Sequence, residues 1–271
     1  MSTALKAERE EFILRAFLAK GDVDRAVRGD ASGGPGVMAL GLRAKYESSG
    51  DDEAGREAAV EELKVLLSEP GSAESPSVQL TAAHVFLSHG MTKEALKCVH
   101  LGATIEHLAM TVQIYLRIDR PDMAREQLNL MRQADEDAVL TQLSGIYVDI
   151  GNGASTASDA VHALKSLSEQ YGPSLMLHNC MACAHLASGN LAEAEMVLKE
   201  ATDMEGGSSN ADTLINTVVC YQHLGKSPAE IEPLLLKLRS DLASHPFVQG
   251  LKRVEAAFER EALKYKVESV V

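Results

Sequence analysis

The sequence is short of the residues that build β-sheets. It has no tryptophan, and aromatic residues make up only 4% of its 271 residues. Aromatic and β-branched residues are the strongest strand formers, whereas alanine and leucine, which abound here, favour helices. The hydrophobic content of 45% and the charged content of 24% are ordinary for a folded chain. The composition therefore favours a globular, mainly helical protein.

Positive charge and long apolar runs are also scarce. Lysine and arginine number 26 against 39 acidic residues, a formal net charge of −13, which argues against binding nucleic acid or anionic lipid directly. No apolar run approaches the roughly 18 residues that suggest a membrane span. The N-terminal MSTALKAEREEF has no signal-peptide core, and four cysteines fit a reducing compartment. We expect a cytoplasmic protein whose membrane contact is only indirect, through a partner.

Apolar residues recur at helical spacing in paired stretches joined by short turns. In the clearest pair, helices from Leu175 to Ser188 and from Ala192 to Met204 meet at Gly189 and Asn190. This pair keeps the small residues of the tetratricopeptide pattern, although its bulky aromatics are missing. Successive turns are 29, 32, 38 and 36 residues apart, close to the ~34-residue tetratricopeptide period, and are centred on Gly90, Asp119, Gly151, Gly189 and Gly225.

These pairs predict a single all-α domain over 1–271, a right-handed superhelix of antiparallel helix pairs, or tetratricopeptide-like α-solenoid. N-terminal helix pairs are expected over 1–68 and regular repeats over 78–242. The Pro-, Ser- and Gly-rich segment 69–77 is predicted to be a flexible surface loop, with a domain boundary as the less favoured alternative. A C-terminal capping helix over 247–266 is expected to cover the last repeat with an apolar stripe, formed by Leu251, Val254, Phe258 and Leu263.

One segment contains every ligand type that zinc prefers, but in an unsuitable arrangement. His178, Cys180, Cys183 and His185 lie within eight residues of one predicted helix. At about 100° per residue the two histidines share one side and the two cysteines lie on roughly the opposite side. We therefore expect these residues to pack between helices. Phosphate-binding loops and nucleophile motifs are absent from the sequence as well, so we expect no metal, no cofactor and no enzyme activity.

The segment at Ala109–Leu143 reads AMTVQIYLRIDRPDMAREQLNLMRQADEDAVLTQL. This segment is the most specific of several that resemble the epsilon subunit of coatomer, a cytosolic vesicle coat. The resemblance spans most of the chain and is weakest from Gly29 to Ser77. Members of this family usually have another helix pair before the segment that matches Glu8, whereas only seven residues precede Glu8 here. Either this chain is shortened or its first repeat is lost, and the sequence leaves both alternatives open. The other similar segments are Glu8–Gly21, Cys180–Ala201, Asp212–Lys226 and Ser244–Glu261.

The resemblance implies a non-catalytic scaffold that is cytoplasmic, peripheral on Golgi membranes, and active in Golgi-to-ER and intra-Golgi transport. In this family the repeats grip the C-terminal domain of the alpha subunit and stabilise it within the coat. Helical-repeat arrays bind partners in a groove lined by the first helix of each pair. Packing between repeats explains the same positions equally well, so both interpretations stay open. In repeat register, the candidate groove residues are Gln113, Leu116, Gly145, Val148, Asn179, Cys183, Leu186, Ile215, Val219 and Gln222.

Two other classes of protein compete with the coat scaffold. A generic tetratricopeptide adaptor would bind a partner peptide in its concave groove, and such clamps use lysine, arginine and asparagine to hold a carboxylate. The groove predicted here is mostly neutral or apolar, which suits an extended apolar ligand better. An enzyme component built on helical repeats, such as a prenyltransferase alpha chain, is disfavoured because the sequence has no catalytic constellation.

Overall fold

The computed structural model describes residues 3–27, 33–50, 52–102 and 104–265. Across these residues the chain forms fifteen α-helices and a 3-10 turn at Gly207–Ser209, and no β-strand occurs in them. The all-α class and the division into helix pairs are thereby confirmed. Clustering of contacts separates two compact units, Met1–Gly151 (unit 1) and Asn152–Val271 (unit 2).

The helices alternate with short turns in both units. The nine helices described in unit 1 are α1 Thr3–Ala19, α2 Val23–Val27, α3 Pro35–Ser48, α4 Glu53–Ser68, α5 Pro76–Ser88, α6 Thr92–Val99, α7 Ile105–Arg117, α8 Pro121–Ala134 and α9 Val139–Gly151. Those described in unit 2 are α10 Ala154–Tyr171, α11 Leu175–Ala187, α12 Leu191–Asp203, α13 Ala211–His223, α14 Pro228–Asp241 and α15 Pro246–Ala262. The 3-10 turn, Gly207–Ser209, lies between α12 and α13.

The helices of each unit form two layers. In unit 1 the first helices of successive pairs contact one another, α3 with α5, α5 with α7 and α7 with α9, and each of α3, α5 and α7 also packs on its own second helix. Unit 2 repeats the arrangement, since α11 contacts both α12 and α13, and α13 contacts α14. The apolar core lies between the layers, where Leu63, Phe86 and Ile114 are each at most 2% exposed. One face of the first-helix layer is thus left for other contacts.

The predicted turn positions adopt the backbone that tight helix turns need. Four of the five have positive φ, a region that glycine enters freely and that aspartate tolerates better than most residues. The fifth, Gly151, is instead the last residue of α9, and Gly153, with φ of 83°, makes that turn. The four residues are Gly90, Asp119, Gly189 and Gly225, with φ of 84°, 57°, 77° and 66°.

The segment from 69 to 77 is shorter as a loop, and better packed, than predicted. Helix α5 begins at Pro76, whose fixed φ and missing N–H suit a first helical position. Ser72, within the turn, is only 2% exposed. The side-chain amide of Gln79 donates a hydrogen bond of 2.7 Å to the carbonyl oxygen of Ala73. This bond ties the turn to the helix that follows it, and the non-helical segment ends at residue 75 and not at the predicted residue 77.

The capping helix is present, but its apolar stripe is not buried as predicted. Helix α15 packs on α13 and α14 through Val248, which is 1% exposed. Further along, Val254, Phe258 and Leu263 are 67%, 74% and 88% exposed. The prediction was wrong for these three residues, because the apolar contacts of α15 with the preceding pair are made at its start, by Phe247 and Val248. Residue 266, the predicted end, lies outside the described residues.

Candidate partner-binding surfaces

The first helices of unit 1 line a groove of about 350 Å³. Helices α1, α3, α5, α7 and α9 all contribute to its walls, which is the arrangement expected of the inner face of a helical-repeat array. We call it the unit 1 groove. The lining residues that bear on its chemistry are Arg15, Arg43, His84, Glu106, Met110 and Gln113.

The unit 1 groove includes a few charged side chains, and these are paired. Nη1 of Arg15 lies 3.4 Å from Oε1 of Glu106, and Nε of Arg43 donates a 2.7 Å bond to Oε1 of Glu47. Nε2 of His84 is 3.7 Å from the same Glu47 oxygen. Burial disfavours ionisation of Glu47, but hydrogen bonds from His84 and Arg43 outweigh it and hold its pKa below the usual value. Most of the lining is nonetheless neutral or apolar, as predicted, and includes Leu40, Leu80, Thr81, Ala109 and Leu140.

The four candidates of unit 1 do not share one environment. Gln113 is exposed in the groove, whereas Leu116 is partly buried and packs against the core between α7 and α8. Val148 is 1% exposed in that core, and a Cβ added to the buried Gly145 would lie 4.0 Å from Leu128. This face of α9 packs on α7 and α8, so Gly145 and Val148 are not available to a partner in this arrangement.

Unit 2 joins its two first helices with a ladder of polar side chains. The amide nitrogen of Asn179 donates to Oγ1 of Thr213 at 2.9 Å, and that of Asn216 donates to Oδ1 of Asn179 at 3.2 Å. The thiol of Cys183 donates to Oδ1 of Asn216 at 3.7 Å. Asn179 is only 5% exposed. Its side chain therefore links α11 to α13, and its amide and carbonyl both have partners inside the chain.

The remaining candidates lie at the surface of unit 2. Cys183, Leu186, Ile215 and Val219 are each partly exposed, and Gln222 is exposed. Ile215 also packs against the core formed with α14 and α15. Burial raises the pKa of the Cys183 thiol, so this group stays protonated at neutral pH and behaves as a small apolar side chain.

One exposed apolar residue of this surface was not among the predicted groove residues. Met176 is 48% exposed and precedes Cys183 by seven residues, which places both on one side of α11. The seven-residue spacing is visible in the sequence, but spacing alone does not separate a core position from a surface position. Together with Val219 on α13, these residues form what we call the α11–α13 face: Met176, Cys183 and Val219.

The histidines and cysteines of α11 do not converge. Nδ1 of His178 lies 3.0 Å from the carbonyl oxygen of Ser174, and Nε2 lies 3.7 Å from the carboxylate of Glu200. Within the described part of the chain, no three or more histidine, cysteine or acidic side chains are placed to hold a metal ion. In the same residues, no helix is long and apolar enough to span a bilayer.

Pairs of helices stacked through their first members define a tetratricopeptide-like helical-repeat protein. A solved tetratricopeptide repeat protein from Parabacteroides merdae matches with a TM-score of 0.63, covering 92% of this chain and 97% of that one. At 15% identity that likeness concerns the fold alone. A family model described as coatomer epsilon subunit matches residues 1–266. The chain belongs to the coatomer epsilon subunit family.

Named relatives agree with this membership over nearly the full sequence. Coatomer subunit epsilon-2 of Oryza sativa subsp. indica is 34% identical over 256 residues, which cover 94% of this chain and 84% of that protein. Coatomer subunit epsilon-1 of Arabidopsis thaliana is 31% identical, and the match covers 93% of this chain and 84% of that protein. Coatomer subunit epsilon of Dictyostelium discoideum is 28% identical, and the match covers 94% of this chain and 86% of that protein. The family resemblance noted in the sequence is thereby confirmed.

Proposed function

We propose that this chain is a non-catalytic scaffold subunit of the coatomer vesicle coat, which binds and stabilises the C-terminal domain of the alpha subunit. It would act in Golgi-to-ER and intra-Golgi transport, in the cytoplasm and peripherally on Golgi membranes, with membrane contact only through the coat. Membership of the coatomer epsilon subunit family supports a place in the coat. We choose the α11–α13 face as the binding surface because its apolar side chains are partly exposed on the first helices of unit 2.

The α11–α13 face has the properties of a polypeptide-binding surface. Its three side chains are apolar at neutral pH, partly exposed, and spread over two adjacent first helices. Covering apolar surface releases roughly 25 cal/mol per Å², so such a face gains from an apolar segment laid across it. Asn216, partly exposed beside Cys183, places a carboxamide where it can hydrogen-bond the main chain of that segment. An extended apolar segment of the alpha subunit suits this combination.

The unit 1 groove, considered by itself, offers polar contacts to a polypeptide. Gln113 is exposed there and has both donor and acceptor atoms on its carboxamide. The arginines of this groove already face carboxylates, Arg15 that of Glu106 and Arg43 that of Glu47. A tail carboxylate would have to displace those partners. This pairing favours the coat-scaffold function over an adaptor that captures peptide termini.

Binding of the purified C-terminal domain of the alpha subunit, measured by isothermal titration calorimetry, tests the proposal. The double variant Cys183→Glu, Val219→Glu places two charges on the α11–α13 face. Because unpaired charges in an interface are costly, we expect its affinity to fall by roughly a hundredfold or more. The helical circular dichroism should persist, since both side chains are partly exposed.

The matched control is Met196→Glu, which places a charge on an exposed apolar residue of the second helix α12, 57% exposed. It should bind like the wild type. Wild-type binding with no loss in the double variant would reject the α11–α13 face as the contact. No detectable binding by the wild type would reject the alpha subunit as the partner.

A further inference from the structure

Helices α11 and α13, the first helices of unit 2, contain a single acidic residue, Asp212, and no lysine or arginine. Each of the two helices has 13 residues. At the 24% charged content of the whole chain, about six charged side chains would be expected between them. The apolar surface that these helices share therefore keeps one isolated carboxylate, on α13.

Asp212 lies on the side of α13 that forms the α11–α13 face. At 100° per residue, Asp212, Asn216 and Val219 fall within about 60° of one another around the helix axis. Asp212 is also near enough to Cys183 of α11 for its negative charge to add to burial in raising the pKa of that thiol. Asp212 is exposed. Its carboxylate therefore borders the apolar face, at the end where α13 begins.

The carboxylate of Asp212 has no basic partner within the described residues. Acidic side chains on the second helix α12 do have such partners, since Glu195 lies 2.9 Å from Nζ of Lys199 and 3.4 Å from Nζ of Lys226. The position of Asp212 in the first turn of α13 stabilises that helix, because negative charge is favourable at a helix N-terminus. This role leaves the carboxylate oxygens open to a cation from outside the chain.

Covering the apolar face changes the surroundings of this carboxylate. A segment that packs on Cys183 and Val219 also removes water from the neighbouring Asp212. A desolvated charge without a partner is costly, whereas a cation placed beside it offsets that cost. A wholly apolar segment would leave Asp212 unpaired, and an acidic one would repel it. The face is therefore complementary to an apolar segment that carries positive charge at one edge.

We propose that the segment bound by the α11–α13 face carries a lysine or arginine that pairs with Asp212, next to the apolar residues that cover Cys183 and Val219. This inference rests on the proposed function, in which the segment belongs to the C-terminal domain of the alpha subunit. The pair contributes to specificity as well as affinity, because segments with a carboxylate in the same place are rejected by like-charge repulsion.

Calorimetric titration of the purified C-terminal domain of the alpha subunit at several NaCl concentrations tests the inference. Asp212→Asn removes the charge and keeps the size, so it should weaken binding by about three- to tenfold at low salt. The difference from the wild type should shrink as NaCl is raised, because salt screens a pair at the edge of the face. Asp212→Lys should bind more weakly still, since it opposes two positive charges. Asp212→Glu keeps the carboxylate and should bind nearly as tightly as the wild type.

Glu193→Gln is the matched control. Glu193 is an exposed acidic residue in the first turn of the second helix α12, so this change also removes one negative charge from a helix start in unit 2. It should bind like the wild type at every salt concentration. Urea unfolding of each variant measures any loss of stability separately from the loss of affinity.

The possible results separate this inference from the proposed function. Wild-type binding that Asp212→Asn leaves unchanged, or weakens equally at low and high salt, would overturn the inference and leave the proposed function intact. An equal loss in Glu193→Gln would also overturn it, because the effect would then come from net charge. Absence of wild-type binding would overturn both.

Discussion

Nε2 of His107 lies 2.9 Å from Oε1 of Gln79 and links α7 to α5 across 28 residues of chain. The amide nitrogen of Gln79 is bonded to the carbonyl of Ala73, so its oxygen faces the histidine and can only accept. Nε2 therefore carries the proton, and Nδ1 accepts from the hydroxyl of Thr104, 2.6 Å away. The ring is 1% exposed. This chain of hydrogen bonds fixes the turn before α5 to the start of α7.

The first prediction concerns pH. Burial lowers the pKa of His107, partly opposed by Glu106, and burial also lowers the pKa of His185. The unfolded chain, with histidine pKa near ~6.5, then takes up protons before the folded chain as pH falls. The contribution of these two histidines to the free energy of unfolding should be constant above that value and decrease as pH falls below it, until the folded-state pKa is passed. Urea unfolding at about pH 7.5 and about pH 5.5 measures this loss.

The variant His107→Gln separates the two contributions of this residue. At neutral pH it should cost about 1–3 kcal/mol, because buried hydrogen-bonding partners lose their bonds. Between the two pH values, the free energy of unfolding of His107→Gln should decrease less than that of the wild type. His223→Gln, at an exposed histidine of α13, is the matched substitution. An equal pH dependence in wild type and His107→Gln would show that His107 is not the titrating group.

The second prediction concerns the glycine beside this histidine. A Cβ added to Gly102 would lie 2.2 Å from Cγ and Cδ2 of the His107 ring, far inside van der Waals contact. The ring is held at both nitrogens and cannot move without breaking a bond. Gly102→Ala should therefore destabilise the chain by about 1–3 kcal/mol in denaturant unfolding.

Gly41 provides the matched comparison. It lies within α3, and no heavy atom would come within 4 Å of an added Cβ there. Gly41→Ala should stabilise by roughly 0.5–1 kcal/mol, because alanine loses less backbone entropy in a helix. If the two substitutions had the same sign, the steric explanation for Gly102 would fail.

The third prediction concerns how α15 is held. Val248 is 1% exposed and packs on α13 and α14, whereas Val254 on the same helix is 67% exposed. Val248→Ala should lower the free energy of unfolding by about 1–3 kcal/mol through the cavity it leaves. Val254→Ala should change it by no more than about 0.5 kcal/mol when the protein is monomeric. A larger loss of stability for Val254→Ala than for Val248→Ala would mean that the apolar stripe, and not the start of the helix, packs on the chain.

Local pattern was enough to predict the helices and most of their turns. Apolar spacing and the residues at Gly90 and Gly189 act within a few positions of themselves, so their effect is visible in the sequence. The ion pairs of the unit 1 groove were not predictable in this way. Arg15 meets Glu106 across 91 residues, and only the packing of α1 brings them together.

The sequence also did not predict which side of each helix is covered by the rest of the chain. Repeat register placed Gly145 and Val148 in the groove, but α9 is rotated so that they pack on α7 and α8. The amphipathic pattern of α15 was evident as well. A pattern states which side of a helix is apolar, but not which molecule covers that side, and Phe258 accordingly remains exposed.

The central claim is that the first helices bind another polypeptide while the second helices do not. Hydrogen–deuterium exchange of the full chain, with and without the purified C-terminal domain of the alpha subunit, tests it most directly. Exchange should slow in α11 and α13, and in α5 and α7 where they line the unit 1 groove, with α8 and α12 unchanged. Protection confined to α8 and α12, or no protection at saturating partner, would contradict the claim.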